Sequence, residues 1–295
     1  MSFGRSAQGH AAMLVFSALV AGSFALGARA APHVDPAVLS ALRFVIAAAI
    51  LAAVARMAAR GAVLRALAVA PWRWGVLGGL MAAYFVLMFE GLKTATSVST
   101  AAVFTLTPVM AAGFGWLFLR QRLTARMALA LALGAAGALW VIFRGDLAAL
   151  ARMHVGRGEA IYFWGCAAHA AYAALVRRLN RGESPVVTTF GTMAAGAGLL
   201  VLWSLPALRA TDWAALPGIV WLTLAYVSVA ATALTLFLVQ FAALRLPAAK
   251  VMAYTYLVPS WVILWEIALG GALPPALILA GVGLCIGALA LLLKE

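Results

Sequence analysis

Ten apolar stretches, each about as long as a bilayer is thick, leave this chain little other material from which to fold. They run at 11–29, 36–57, 74–92, 97–119, 127–143, 158–176, 185–205, 216–238, 248–269 and 276–293. Roughly 20 helical residues cross the ~30 Å hydrocarbon core, because a helix rises about 1.5 Å per residue. Of the 295 residues, 66% are hydrophobic and 10% charged, whereas a soluble domain carries about 25% charge. Mean hydropathy is +1.06. The expected fold class is an all-α membrane protein of ten transmembrane helices. The connections are too short for a soluble catalytic domain, so function is expected inside the bilayer.

The ten stretches read as one five-helix unit written twice. Leu92-Lys93-Thr94 precedes Pro108 and a stretch ending Gly137-Ala138-Leu139. In the second half, Leu244-Arg245-Leu246 precedes Pro259 and a stretch ending Gly287-Ala288-Leu289. Phe16-Ser17 through Phe24 to Arg29 aligns likewise with Trp164-Gly165 through Tyr172 to Arg177. Phe24 and Tyr172 lie 148 residues apart and Leu92 and Leu244 lie 152 apart, half the chain. Five is odd, so a second copy in tandem inserts upside down, the inverted-repeat construction of secondary transporters. The expected domains are 1–145, the first repeat; 146–157, a polar linker; and 158–295, the second repeat.

The net charge of +13 would suggest nucleic acid in a soluble protein, but its distribution is a topology signal. Arg5, Arg56, Arg60, Arg65, Arg73, Arg120, Arg122, Arg126, Arg177, Arg178, Arg181, Arg245 and Lys294 fall on one side of the ten spans. Arg29, Lys93, Arg144, Arg152, Arg157 and Arg209 fall on the other. Lys and Arg accumulate in cytoplasmic loops, so both termini are expected in the cytoplasm of a bacterial inner-membrane protein. Arg5, the apolar run and Ala28-Arg29-Ala30 imitate a cleavable signal peptide. Retention is expected, because cleavage would delete the first helix and break the symmetry. Cys166 and Cys285 read as small apolar residues within spans; neither a disulfide, a metal nor a cofactor is expected.

Ionisable residues inside spans mark functional candidates. Arg43, Glu90, His169, Lys250 and Glu266 are such residues. Glu90 and Glu266, a turn from the outer ends of their helices, and mid-span His169 are candidates for proton coupling. Arg43 lies about two turns into its span and either bonds helix carbonyls or a neighbouring Glu, or contacts substrate. Lys250 is placed to snorkel to the cytoplasmic surface. His169 shares a helix face with Tyr162, Gly165 and Tyr172. Comparable stripes are Leu77, Met81, Tyr84, Met88 and Gly91; Ser97, Thr100, Phe104 and Thr107; and Lys250, Tyr254, Leu257 and Trp261. Together they furnish an aromatic cavity with few fixed charges, suited to amphipathic or aromatic solutes rather than to phosphates, which demand clustered Arg and Lys. The expected substrate-binding residues are Ser17, Phe24, Tyr84, Thr100, Phe104, His169, Tyr172, Tyr254 and Trp261. Pro108 and Pro259, midway through the fourth and ninth spans, remove backbone donors at matching positions and are expected as hinges. Gly75 with Gly79, and Gly283 with Gly287, are expected at close helix crossings.

Catalysis has no support in the residues: there is no Gly-x-Ser-x-Gly, no His-Glu-x-x-His, and the carboxylates are scattered. The expected partners are a small-molecule substrate and membrane lipid, with no nucleic acid, and ten helices suffice to enclose a cavity in a monomer. A membrane scaffold of the same fold is the alternative to a carrier.

The chain resembles the EamA-type branch of the drug/metabolite transporter superfamily. The likeness lies in Gly22-Ser23-Phe24, Leu42-Arg43-Phe44, Gly91-Leu92 through Pro108, Ala170-Ala171-Tyr172-Ala173 followed by Arg177-Arg178, and the echo from Leu244 to Pro259. It implies an exporter of small metabolites working by alternating access. It also implies a cavity between the halves, lined by the first, third, fourth, sixth, eighth and ninth helices. Members similar to this chain include aromatic amino acid exporters of the YddG kind, making aromatic and other neutral amino acids the leading substrates, with other metabolites or cationic drugs as the alternative. The sequence departs from the family pattern at Ala21, where a Trp is common, and at Gln121 and Gly271, where a Glu is common.

Overall fold

The computed structural model describes residues 4–58, 67–146, 148, 155–243, 245–246 and 248–293. Arg60, Arg65, Arg152, Leu244 and Lys294, used above for charge sidedness and the repeat, lie outside the described residues. Among the described residues there is helix and no strand. In order the helices are α1 (Arg5–Ala30), α2 (Pro36–Ala58), α3 (Trp72–Leu92), α4 (Ser97–Phe104), α5 (Thr107–Leu119), α6 (Ala125–Ile142), α7 (Arg157–Leu179), α8 (Pro185–Ala210), α9 (Gly218–Ser228), α10 (Thr235–Ala243), α11 (Ala248–Ala253), α12 (Val258–Ala268) and α13 (Ala276–Leu293). Every apolar stretch named above therefore holds helix. Seven are long and apolar enough, unbroken or nearly so, to cross a membrane: those at Ser6–Ala30, Pro36–Val54, Trp72–Leu92, Ser97–Leu119, Ala125–Ile142, Pro185–Ala210 and Ala276–Leu293. The remaining stretches are α7, which carries Arg157, Glu159, Arg177 and Arg178 at its ends, and two that break into shorter pieces.

Local sequence sets the starts. Asp35 accepts from the backbone N–H groups of Ala37 and Val38 at the head of α2, at 2.8 and 3.1 Å. Thr96, Thr124 and Ser184 cap α4, α6 and α8 through their side-chain oxygens. A hydroxyl or carboxylate there satisfies donors that have no partner in the first turn.

Three long stretches are interrupted, each differently. Between α4 and α5 the chain passes through Thr105 and Leu106, and Pro108 sits in the first turn of α5. Between α11 and α12 it tightens into a 3₁₀ turn at Tyr254–Leu257, with Pro259 in the first turn of α12. Both breaks precede the proline, which cannot donate to the carbonyl four residues back. Between α9 and α10 the backbone widens into a π turn at Val229–Leu234, with no proline near it. There Thr232 Oγ1 donates to the carbonyl of Val227, five residues earlier, at 2.7 Å.

Helices α3 and α7, α6 and α13, and α2 and α8 pack along much of their lengths, and α1 lies against α10 and α12. Glycine enables the closest crossings, since no hydrophobic effect draws helices together in lipid. A Cβ at Gly78 of α3 would sit 2.5 Å from the backbone nitrogen of Gly196 on α8, and one at Gly137 of α6 would sit 2.6 Å from the carbonyl of Gly281 on α13. Gly91 and Gly158 join α3 to α7 in the same way. The glycines named from sequence are not at these crossings: Gly75 and Gly283 face open space, while Gly79 and Gly287 make ordinary contacts. Phe24, Phe44, Tyr84, Phe89 and Tyr162 sit in the main core. Exposed Trp116, Trp164, Leu202 and Trp203 stud the outside, as expected of a lipid-facing surface.

Candidate functional site

A cavity of about 310 Å³ opens beside the α4–α5 break, lined by Phe104, Thr107, Pro108, Ala111, Gln121, Leu123, His169, Ala173, Ala253, Thr255, Tyr256 and Leu292 among others. That volume falls at the small end of the ~300–1,000 Å³ typical of ligand pockets. Its floor, at mid-bundle, is Phe104 and His169; its mouth is Gln121, Leu123 and Leu292, where α5 and α13 end. A groove sharing Ala112, Gln121, Leu123 and Leu131 continues it between α5 and α6.

The floor is built by stacking. The Tyr84 ring stacks on His169 at 4.5 Å between centroids, and Phe104 lies 5.9 Å from His169 and 6.2 Å from Tyr84. Behind them Phe24 and Tyr162 complete the cluster, and the Tyr162 hydroxyl donates to that of Tyr84 at 3.3 Å. The Tyr172 ring lies nearly parallel to His169 at 6.4 Å between centroids. It lines a separate surface pocket with Arg177, Asn180 and Glu183.

The walls are mostly apolar, and three of the lining residues carry a buried polar atom: His169 Nδ1 and the Tyr256 hydroxyl have no hydrogen-bond partner, and the Thr107 hydroxyl is within hydrogen-bonding reach of Cys166. Buried polar groups are otherwise almost always paired. An imidazole, a threonine and a phenol around an apolar space are the donors and acceptors an amphipathic guest would complete. Among the described residues no group of His, Cys, Asp and Glu could hold a metal ion, and Cys166 and Cys285 are buried free thiols.

At the opposite end of the bundle the structure is latched. Glu266 on α12 pairs with Arg29 at the end of α1, Nη2 to Oε2 at 3.1 Å, and accepts from Ser97 Oγ on α4 at 2.7 Å. Ser99 on the same α4 turn donates to buried Glu159 of α7 at 2.7 Å. Below the latch, Trp261 Nε1 donates to Ser17 Oγ at 2.9 Å and Trp265 Nε1 to the carbonyl of Ala18 at 3.0 Å.

Of the residues expected from sequence, Phe104, His169 and Pro108 line the cavity, and Tyr84 and Phe24 stand behind its floor. Ser17 and Trp261 bond each other between α1 and α12. Tyr254 is bonded to His10 at 2.8 Å. Thr100 is fully buried, its hydroxyl donating to the carbonyl of Thr96 at 2.8 Å. Pro259 follows the 3₁₀ turn. Of the coupling candidates, Glu90 pairs with Lys93 at the surface, Nζ to Oε2 at 2.7 Å, Glu266 forms the latch, and His169 faces the cavity. Tyr256, Thr255, Thr107 and Gln121 reach the cavity without having been singled out as binding residues. Thr107 belonged to the Ser97 stripe; Tyr256 was hidden by the 3₁₀ turn, which rotates the chain by about 120° per residue instead of 100°.

The fold is that of a multi-pass helical membrane protein with an internal cavity. The chain belongs to the EamA-like transporter family, whose sequence pattern matches it twice, over residues 7–143 and 156–294. It is 27% identical over 218 residues to an uncharacterized transporter, YyaM of Bacillus subtilis (strain 168), covering 73% of this chain and 71% of that one. A solved crystal structure superposes with a TM-score of 0.67 over 97% of this chain and 95% of its own at 23% identity, a likeness of fold alone. Membership of the family points to a transporter of small molecules rather than an enzyme.

Proposed function

We propose that the protein exports amino acids, aromatic and other neutral ones, across the bacterial inner membrane by alternating access. In this reading ten spans form two inverted five-helix repeats, residues 1–145 and 158–295, with both termini and the Gln121 mouth in the cytoplasm. The repeats are supported by the double family match and by packing pairs that exchange under a half-chain shift: α3 with α7 corresponds to α9–α10 with α1. The Arg and Lys distribution supports the orientation.

The observation that carries the proposal is the cavity itself: apolar and aromatic walls that include the polar residues His169, Thr107 and Tyr256. An amino acid with an aromatic side chain offers apolar area to the walls and polar groups to those residues. The breaks before Pro108 and Pro259 act as hinges, since both flank the cavity in the spans that the Glu266 latch joins at the far end. Export begins with the cavity open to the cytoplasm, closes at Gln121 and Leu292, and opens where Arg29, Ser97 and Glu266 part. Of the coupling candidates, His169 is the one that meets the solute.

The test is uptake of labelled Phe, Trp and Thr into liposomes holding the purified protein, with and without an imposed pH gradient, against protein-free vesicles. We expect protein-dependent flux of at least one. His169→Gln should lower the flux and remove any response to the gradient. Absence of flux for every amino acid would refute the substrate assignment and leave other metabolites, cationic drugs or a scaffold role.

A further inference from the structure

Arg43 is a mid-membrane cation without a carboxylate. It is 2% exposed on α2, and among the described residues the ion pairs are Arg29–Glu266, Arg73–Glu183 and Lys93–Glu90. Its guanidinium is held on one side only. Nε and Nη2 donate to Thr232 Oγ1 at 3.1 and 3.0 Å, Nη2 also donates to the carbonyl of Ala231 at 3.3 Å, and the carbon lies 3.6 Å from the centroid of the Phe85 ring. Nη1, buried, has no partner.

Two more buried orphans lie on the helices that meet there. Ser40 Oγ is three residues before Arg43 and on the same face of α2, and Ser228 Oγ ends α9, at the start of the π turn that Arg43 clamps. Ser40 and Ser228 are both 0% exposed. Helix α2 packs against α9 and the π turn, so the elements that carry these three groups form one seam. Ionisable groups in the hydrocarbon region are rare and mark substrate or ion pathways, and π turns recur at functional positions.

Tyr84 connects this seam to the cavity. Its ring stacks on His169 and borders Phe104, both of which line the cavity, and the next residue, Phe85, carries Arg43 on its face. Two packed rings, Tyr84 and Phe85, thus stand between a solute resting on His169 and the guanidinium.

We propose that Arg43 Nη1, with the hydroxyls of Ser40 and Ser228, is an anion subsite that takes the carboxylate of the transported solute when the Tyr84–His169 stack parts. This rests on the carrier reading above and adds to it a requirement for an acid group. Arg suits the role because its fork matches a carboxylate while its other edge stays tied to Thr232 and Ala231.

The test uses the purified full chain in detergent, its thermal unfolding followed with phenylalanine, 3-phenylpropionate or phenylethylamine added. Phenylalanine and phenylpropionate should stabilise the wild-type protein, and the amine should bind at least about tenfold more weakly. Arg43→Gln should erase the preference for the acid, and Arg43→Lys, which keeps the charge without the fork, should retain it at reduced strength. Equal stabilisation by acid and amine, or no stabilisation by either acid, overturns the subsite; so does an acid preference that survives in Arg43→Gln. Should Arg43→Gln fail to fold, the acid–amine comparison in the wild-type and Lys proteins decides alone. Stabilisation by phenylpropionate but not by phenylalanine would keep the subsite and remove the amino acid assignment. Undiminished vesicle uptake of phenylalanine by Arg43→Gln would keep the carrier and remove the subsite.

Discussion

The two ends of the bundle are closed by different chemistry. At the Arg29 end, side chains from α1, α4, α7 and α12 bond one another across the centre through Glu266, Ser97, Ser99 and Glu159. At the Gln121 end His10 bonds Tyr254 between α1 and the 3₁₀ turn, and the other bonds join neighbouring segments to one side of the cavity. Arg126 donates to the carbonyl of Leu291, Arg178 to that of Phe118, and Arg73 pairs with Glu183, while α5 and the 3₁₀ turn stand apart across the cavity. In the proposed alternating-access cycle this is a state shut on one face and open on the other, in which the bonds at the Arg29 end would break and the others would hold the fold in either state.

Four changes break or sharpen that contrast. The largest effect is expected from Ala173→Trp, which fills the cavity at the open end: flux in vesicles should vanish while the protein still elutes as a folded species. Undiminished flux would move the pathway elsewhere.

Next is the Arg73–Glu183 pair. Arg73 is 1% exposed and donates to Glu183 Oε1 at 2.8 Å, so Glu183→Gln should destabilise by about 2–3 kcal/mol without altering which face is open. Burial alone would raise the Glu183 carboxyl, but the hydrogen bonds from Arg73 and from the Arg181 backbone N–H hold it below its usual value. A depressed carboxylate stabilises the folded state fully above its ordinary titration range and loses that contribution as pH falls through its folded value. Thermal unfolding of the wild type should therefore fall on acidification through and below that range, and the Gln variant should lose that part of the slope.

A smaller change is expected at the latch. Arg29 and Glu266 are partly exposed, and such pairs contribute up to about 1 kcal/mol. Glu266→Ala should then raise the open population at the Arg29 end by about fivefold, read as faster maleimide labelling of Thr100→Cys from that face. An unchanged labelling rate would show that Glu266 does not hold the latch. The least effect belongs to Ser17→Ala, which strips Trp261 Nε1 of its acceptor and should lower the melting temperature by about 2 °C.

Helix positions were legible because burial in lipid makes length and hydropathy nearly sufficient: 36–57 was expected and Pro36–Ala58 is found, and 276–293 corresponds to Ala276–Leu293. The breaks before Pro108 and Pro259 were also legible, since proline acts on its own segment. The π turn was not. Val229 to Leu234 contains no residue that interrupts a helix locally, and the turn's carbonyl and threonine are engaged by Arg43 from a helix far away in sequence. The site was half legible for a related reason. Stripes drawn at one period include Phe104 and His169, which line the cavity, but run straight through the breaks, so Thr100 is buried and Tyr254 bonded to His10, while Tyr256 lines the cavity instead. The crossing glycines depend on which helices meet, and spacing alone pointed to Gly75 and Gly79 rather than to Gly78.

The most direct measurement is two-sided labelling of a cysteine placed at Ala173, in a background with Cys166 and Cys285 replaced by Ala, using membrane-impermeant maleimide on inside-out and right-side-out vesicles. The alternating-access account predicts fast labelling from the cytoplasmic face alone, slowed by a transported amino acid. Labelling from the outer face at the same rate, or from neither face, would contradict it.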